Sequence, residues 1–244
     1  NFEIPIIDKK SQVLIADSLT KIEKIIDIKK NQLLEYDQLI KSRFVEMFGD
    51  IQNNSKQYRT QFLKDICSIK TGGTPSRNHP EYFEGTIPWI TTVALGKLEI
   101  DKLDAIELIT EDAVNNSSTK IIPAGSILFG TRVGVGKTSI NKVDLCTNQD
   151  IAAITEISKD YNLIFLKKVL DSYSEYFNNQ KRGATIQGIT TDTLKNIHIP
   201  IIDLEVQKEF AAFFEQVDKL KFAVQKSLDE TQTLFDSLMQ KYFG

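Results

Sequence analysis

Two long stretches of the chain, one near each end, repeat apolar side chains in alternating steps of four and three residues. The first runs Ile15, Leu19, Ile22, Ile26, Lys29, Leu33, Tyr36, Ile40, Arg43, Met47, and the second Phe210, Phe214, Val217, Lys221, Val224, Leu228, Thr231, Phe235, Leu238, Tyr242. This alternation keeps one stripe of a 3.6-residue helix turned toward a partner, so both stretches predict long helices with a coiled-coil seam. Each covers roughly 35 residues, about 50 Å of helix, and a stripe that long needs a partner of equal length. The other stretch is the obvious one, and the pair is antiparallel if the intervening domain sits near one end. Gly49 and Gly244 fit helix stops. Lys29, Arg43, Lys221 and Thr231 interrupt the seam; they are expected to set its register or to leave room for another chain.

Between the helices the pattern changes. Short β-rich runs (Ile87–Val93, Ile121–Ile122, Ser126–Gly130, Thr138–Ile140, Ile151–Thr155) are separated by turns rich in Gly, Thr, Ser and Asn, such as Asn115–Ser118. Helical stretches are expected at Gln61–Ser68, where Leu63, Ile66 and Cys67 share a face, and at Asn162–Phe177. The fold class is therefore α+β: an irregular, mostly antiparallel β-rich domain flanked by two long helices forming an antiparallel coiled coil.

A shift of 195 residues aligns the two ends without a gap. Ile4-Pro5-Ile6-Ile7-Asp8 meets Ile199-Pro200-Ile201-Ile202-Asp203, and Gln12, Leu33, Glu35 and Ser42 meet Gln207, Leu228, Glu230 and Ser237. Each copy reads as a short strand stopped at its proline, then a helix. The expected organisation is a terminal strand at 1–8, a first helix at 9–50, a domain at 51–203 and a second helix at 204–244. The strand-like start at Asn1, without a methionine, leads to the expectation of a fragment whose preceding domain is absent.

A net charge of −3 argues against a uniformly basic nucleic-acid binder, and residues 51–195 hold 17 basic against 16 acidic residues. Their distribution says more. Segments 66–80, 113–143 and 176–191 contain Lys70, Arg77, Lys120, Arg132, Lys137, Lys142, Lys181 and Arg182 and no acid. Glu99, Asp101, Asp104, Glu107, Glu111 and Asp112 crowd a single stretch. If the acid-free loops fold onto one face, a positive patch lies opposite a negative one, with Gly, Thr, Ser, Asn and Gln among its cations as contacts for phosphates and base edges.

Other chemistries find little support. Gly134-Val135-Gly136-Lys137-Thr138 resembles the tail of a phosphate-binding P-loop, but Thr131 stands where that motif needs its first glycine. The two histidines, His79 and His198, and the two cysteines, Cys67 and Cys146, match no metal or catalytic spacing. No cofactor, metal or catalytic residue is expected, and the cysteines read as free thiols in a reducing cytoplasm. No apolar run of about 18 residues exists to span a membrane.

The loop motifs carry a resemblance. Lys70-Thr71-Gly72-Gly73-Thr74-Pro75-Ser76, Pro80-Glu81-Tyr82-Phe83, Ile87-Pro88-Trp89-Ile90, Gly134–Thr138, Thr147-Asn148-Gln149 and Gly183-Ala184-Thr185-Ile186-Gln187-Gly188-Ile189 occur in the order seen in a target-recognition domain. Nearly the whole chain resembles the specificity subunit of type I restriction–modification enzymes. That resemblance implies a non-catalytic subunit that reads double-stranded DNA and docks modification subunits, which methylate adenine using S-adenosylmethionine. Restriction subunits join through them to cut DNA. Members normally carry two recognition domains separated by the paired helices. This chain has both helices and one complete domain, so a two-part target is in doubt for one chain alone; a homodimer through the helices is left open by the sequence. Loop chemistry and resemblance together make Thr74, Ser76, Arg77, Thr91, Thr92, Gln149 and Gln187 candidate base contacts. Arg132, Lys137, Lys181 and Arg182 become candidate phosphate contacts, with Thr138 on the same DNA-binding loop. The alternative is a structural protein whose coiled coil docks partners without reading DNA.

Overall fold

The computed structural model describes residues 8–180 and 188–243. In chain order its elements begin with α1 (Lys9–Phe48), β1 (Thr60–Phe62), β2 (Ser68–Thr71), β3 (Ile87–Ile90), β4 (Glu99–Ile100) and β5 (Glu107–Ile109). There follow α2 (Glu111–Asn115), β6 (Ile127–Gly130), β7 (Thr138–Asn141), β8 (Cys146–Thr147) and β9 (Ile151–Thr155). The chain closes with α3 (Leu163–Gln180), α4 (Thr191–Lys195), β10 (His198–Pro200) and α5 (Leu204–Phe243). It divides into two compact units, residues 1–47 with 212–244, and residues 48–211.

The first unit is an antiparallel helix pair. Lys29 Nζ reaches Ser227 and Thr231, Lys221 pairs with Asp37, and Arg43 lies over the Phe213 ring at 6.0 Å, so partners descend along α5 as they ascend along α1. Every seam position of the unit is buried or half-buried, with Ile26, Ile40, Phe214, Val217 and Leu228 the most enclosed. The polar interruptions are satisfied across the seam. Lys29 Nζ donates to Ser227 O at 2.9 Å, Ser227 Oγ at 2.7 Å and Thr231 Oγ1 at 2.6 Å. A long, flexible ammonium stem can fill a seam position this way because its head still finds acceptors. The repeated aspartates cap both helices: Asp8 Oδ1 accepts from the amides of Lys10 and Ser11, and Asp203 Oδ1 from that of Glu205. Hydrogen bonds from Ser11 hold the Asp8 carboxyl below its ordinary range.

The second unit is built on a five-stranded sheet of order β2-β9-β6-β7-β4, joined by a three-stranded sheet, β5-β3-β8, and a two-stranded one, β1-β10. Pairing is antiparallel except at β3–β8 and β4–β7. Strand β9, between β2 and β6, is buried along its whole length, and its Ala152 and Ala153 face Phe129 and Leu128 in the β6 register. One core cluster gathers Ile90, Leu95, Ile100, Ile122, Leu128, Leu145, Ile151 and Ala153. Phe165, Leu166, Val169 and Leu170 of α3 are wholly buried. Phe48 meets Phe165 and Phe210 edge-on at 4.9 and 5.6 Å, which explains why this unit starts at residue 48 and ends at 211.

Residues 61–68 are not the expected helix. Gln61 and Phe62 pair with Ile199 and His198, and this ladder leaves only a 3-10 turn at Leu63–Asp65. Gly49, at φ +74°, ends α1 as expected; Gly244 and the strand expected at 1–8 lie outside the described residues, except for Asp8. Both cysteines are free, and burial raises the thiol of Cys67 to about 12 and that of Cys146 to about 11. Among the described residues no helix is long and apolar enough to cross a membrane.

Candidate nucleic-acid interface

The site is assembled from loops held on the sheet, beginning with the glycine pair after β2. Gly72 N–H donates to Ile151 O at 3.2 Å and Gly73 N–H to Thr147 O at 2.8 Å, while Trp89 Nε1 donates to Gly73 O at 3.1 Å. A Cβ at Gly72 would stand 2.2 Å from Asn148 O, and one at Gly73 would stand 2.4 Å from Thr119 N. Two backbones cross here at a distance that admits no side chain. The crossing delivers Thr74, whose Oγ1 donates to Gln149 Oε1 at 2.5 Å.

The loop between β6 and β7 is held as firmly. Gly134 and Gly136 adopt φ of +62° and +81°, Gly130 N–H donates to Lys137 O at 2.9 Å, and Lys137 N–H to Gly134 O at 3.0 Å. A Cβ at Gly136 would stand 2.7 Å from Ser174 Cα of α3. The loop is a turn packed on a helix and contains no phosphate cradle. Thr131 N–H and Oγ1 both donate to Asp150 O, at 2.8 and 2.9 Å, and Ile189 N–H donates to Thr131 O at 2.7 Å. Four loops thus meet around a cleft of about 410 Å³, lined by Thr71, Thr131, Arg132, Gln149, Gly188, Ile189, Thr190 and Thr191.

Of the residues singled out from sequence, Thr74, Arg132 and Gln149 come together at this cleft. Lys137 is exposed beside it in sequence, with its stem against Gly134, and has no ion pair among the described residues. Ser76 is exposed, its Oγ accepting from Asn78 N–H at 3.3 Å. Thr91 is half-buried, and its Oγ1 is enclosed with no hydrogen-bond partner among the described residues. Arg77 is engaged elsewhere. Its guanidinium grips Glu107 with two bonds of 2.6 and 2.7 Å and lies 4.1 Å over Phe83. The bond from Arg77 holds the Glu107 carboxyl below its ordinary range, and the same bond raises the arginine. Two expectations are corrected by burial: Thr92 is 7% exposed and Thr138 1%, and Thr138 Oγ1 is turned to Asp171, so neither side chain has surface to offer DNA. Lys181, Arg182 and Gln187 lie outside the described residues.

Among the described residues the charges expected to separate are partly interleaved. The acidic stretch folds back onto the cations: Glu99 pairs with Lys142 at 3.0 Å, Asp104 with Lys97, and Glu107 with Arg77. Glu156 and Asp150 similarly meet Lys70 and Arg132, at 3.6 and 3.7 Å. The face is an interleaved one. Sequence reasoning also passed over Thr71, Thr131, Thr190, Thr191 and Asp150, although Asp150 directly follows the Thr147-Asn148-Gln149 motif and Thr190 closely follows Gly188-Ile189. Among the described residues no group of His, Cys, Asp and Glu could hold a metal ion.

The stretch carrying all four loops matches a known family. Residues 55–231 fit the type I restriction modification DNA specificity domain. The chain belongs to this family. It is 34% identical over 176 residues to the type I restriction enzyme MjaIX specificity subunit of Methanocaldococcus jannaschii, covering 70% of this chain and 40% of that one. To the EcoR124I/EcoR124II specificity subunit of Escherichia coli it is 29% identical over 176 residues, 68% of this chain and 42% of that one. This specificity domain thus spans about two fifths of the length of the curated relatives it matches. Its fold is shared with the HsdS subunit from Thermoanaerobacter tengcongensis (TM-score 0.61, 18% identity, 95% of this chain and 56% of that one). It is shared equally with a type I restriction–modification S subunit from M. genitalium (TM-score 0.65, 13% identity, 97% and 62%).

Proposed function

We propose that residues 48–211 read one part of a double-stranded DNA target, as the recognition element of a type I specificity subunit, and that the chain performs no catalysis of its own. The observation that carries this reading is the cleft: loops from four separate parts of the chain converge on it, inside the stretch that matches a DNA specificity domain. Thr74, Ser76 and Gln149 supply short donors and acceptors suited to base edges, and Lys137 supplies an unpaired cation suited to a phosphate. Gln187, Lys181 and Arg182 remain candidates by the sequence alone, whereas the enclosed Thr91 Oγ1 offers no surface to DNA. Arg77, spanning Glu107 and Phe83, pins its loop.

The helix pair is the spacer and the dock for modification subunits, which would carry S-adenosylmethionine and methylate adenine, with restriction subunits joining through them in the cytoplasm. Outside the seam, α1 leaves Leu14, Ile25, Ile28 and Leu39 exposed, apolar surface suited to further helices from such subunits or from a second copy of this chain. Those side chains also suit an assembly protein that reads no DNA, and the two readings separate on salt. DNA reading requires affinity that falls steeply as salt rises, because phosphate contacts release counterions. Replacing Lys137 with alanine should weaken binding to all duplexes alike and lower the salt slope by about one. No salt-dependent binding, with or without the modification subunit, would leave the assembly reading.

A further inference from the structure

Arg132 is held in a way that a phosphate contact does not need. Its stem is backed by the chain at Gly188: a Cβ there would stand 2.6 Å from Thr131 O and 3.0 Å from Arg132 Cγ, and the residue sits at φ +128°. Its guanidinium is faced by Asp150, Nη1 to Oδ1 at 3.7 Å, with the arginine side chain 61% exposed and the aspartate 19%. Asp150 is itself fixed. Its amide donates to Asn148 Oδ1 at 3.3 Å, its Oδ2 accepts from Asn148 Nδ2 at 3.4 Å, and its carbonyl takes both Thr131 donors. Beside it Gln149 is exposed, with its Oε1 already taken by Thr74. Its amide nitrogen is therefore left as a donor.

A phosphate attracts a cation from any direction, so a mobile side chain serves. A base edge demands a planar fork at a fixed place and angle, and an arginine whose stem is backed by Gly188 and whose exposed head faces a carboxylate at 3.7 Å is placed to offer one. Among base edges, only guanine offers two adjacent acceptors, O6 and N7, to such a fork in the major groove. On the reading of this domain as a DNA reader, we infer that Arg132, oriented by Asp150 and backed by Gly188, is a guanine-reading residue, with Gln149 donating to the same edge or the next one. Asp150 is the positioning residue.

The test takes the full chain, with modification subunits where binding requires them, and selects duplexes from a randomised library. Each guanine of the selected duplex is then replaced in turn by 7-deazaguanine, which keeps its pairing and loses N7. One replacement should weaken binding about tenfold, within the range for loss of a bidentate base contact. The same replacement should leave the Arg132→Ala variant, which has no donor for N7, unaffected. Arg132→Ala and Asp150→Asn, at unchanged melting temperature, should each lose the preference for guanine at that position while keeping the salt slope. If Arg132→Ala instead weakens all duplexes alike and lowers the slope by about one, Arg132 is a phosphate contact and the inference is overturned. A selected sequence with no guanine sensitive to 7-deaza replacement overturns this inference alone. Enrichment of no sequence at all overturns the DNA-reading proposal with it.

Discussion

At the scale of single residues, the loop face is organised by acids that fold back onto cations. The Arg77–Glu107 pair makes two short bonds, and its glutamate is 28% exposed, so its net worth is on the order of 0.5–1 kcal/mol. The bond from Arg77 depresses the Glu107 carboxyl below its unfolded value of 4.5. A depressed carboxylate contributes stability that is present above the unfolded value and is lost as pH falls through the folded one. Thermal melts should therefore find Glu107→Gln less stable than the parent at pH 7, with the difference shrinking as pH drops below 4.5. A difference that persists unchanged into strong acid would show that the ion pair is not its source. This pairing was illegible in the sequence. Acid-free segments were visible, but Glu107 lies 30 positions from Arg77, and only the turn of the chain brings it there. The small loop residues were easier to read, because Thr74 stands in a motif whose glycines mark a close backbone crossing, and Gln149 directly follows the Thr147-Asn148 backbone that Gly72 crosses.

Secondary-structure elements were legible where geometry alone sets burial. A helix imposes its 4-3 alternation whatever surrounds it, so the seam from Ile15 to Met47 is enclosed at each of its positions. Strands of two or three residues such as β4, β5 and β8 are too short to show alternation and went unread. At 61–68 the spacing of Leu63, Ile66 and Cys67 imitates a helix face, yet the ladder between β1 and β10 decides the backbone. The β6–β7 loop shows what its glycines are for. Gly134→Ala meets only the flexible Lys137 stem, so its cost is that of a left-handed backbone, about 1–2 kcal/mol. Gly136→Ala carries the same cost and also drives a methyl into the α3 backbone at Ser174. Denaturant melts should place Gly136→Ala clearly below Gly134→Ala in stability; equal losses would mean that the loop does not rest on α3.

At the scale of the whole molecule, the chain joins a unit that matches a DNA specificity domain to two helices that each carry the same capped pattern, and it spans about two fifths of its curated relatives. The family was legible from the order of the loop motifs. The DNA sequence it selects was not, since that depends on donor and acceptor positions which only the folded loops define. Sequence-specific DNA reading is the central claim, and selection from a randomised duplex library, with the modification subunit present, tests it most directly. The expected result is enrichment of a defined sequence whose affinity falls steeply with salt: a single element if one chain acts, a spaced palindrome if two chains pair through their helices. Recovery of unenriched DNA, at any salt, would contradict it.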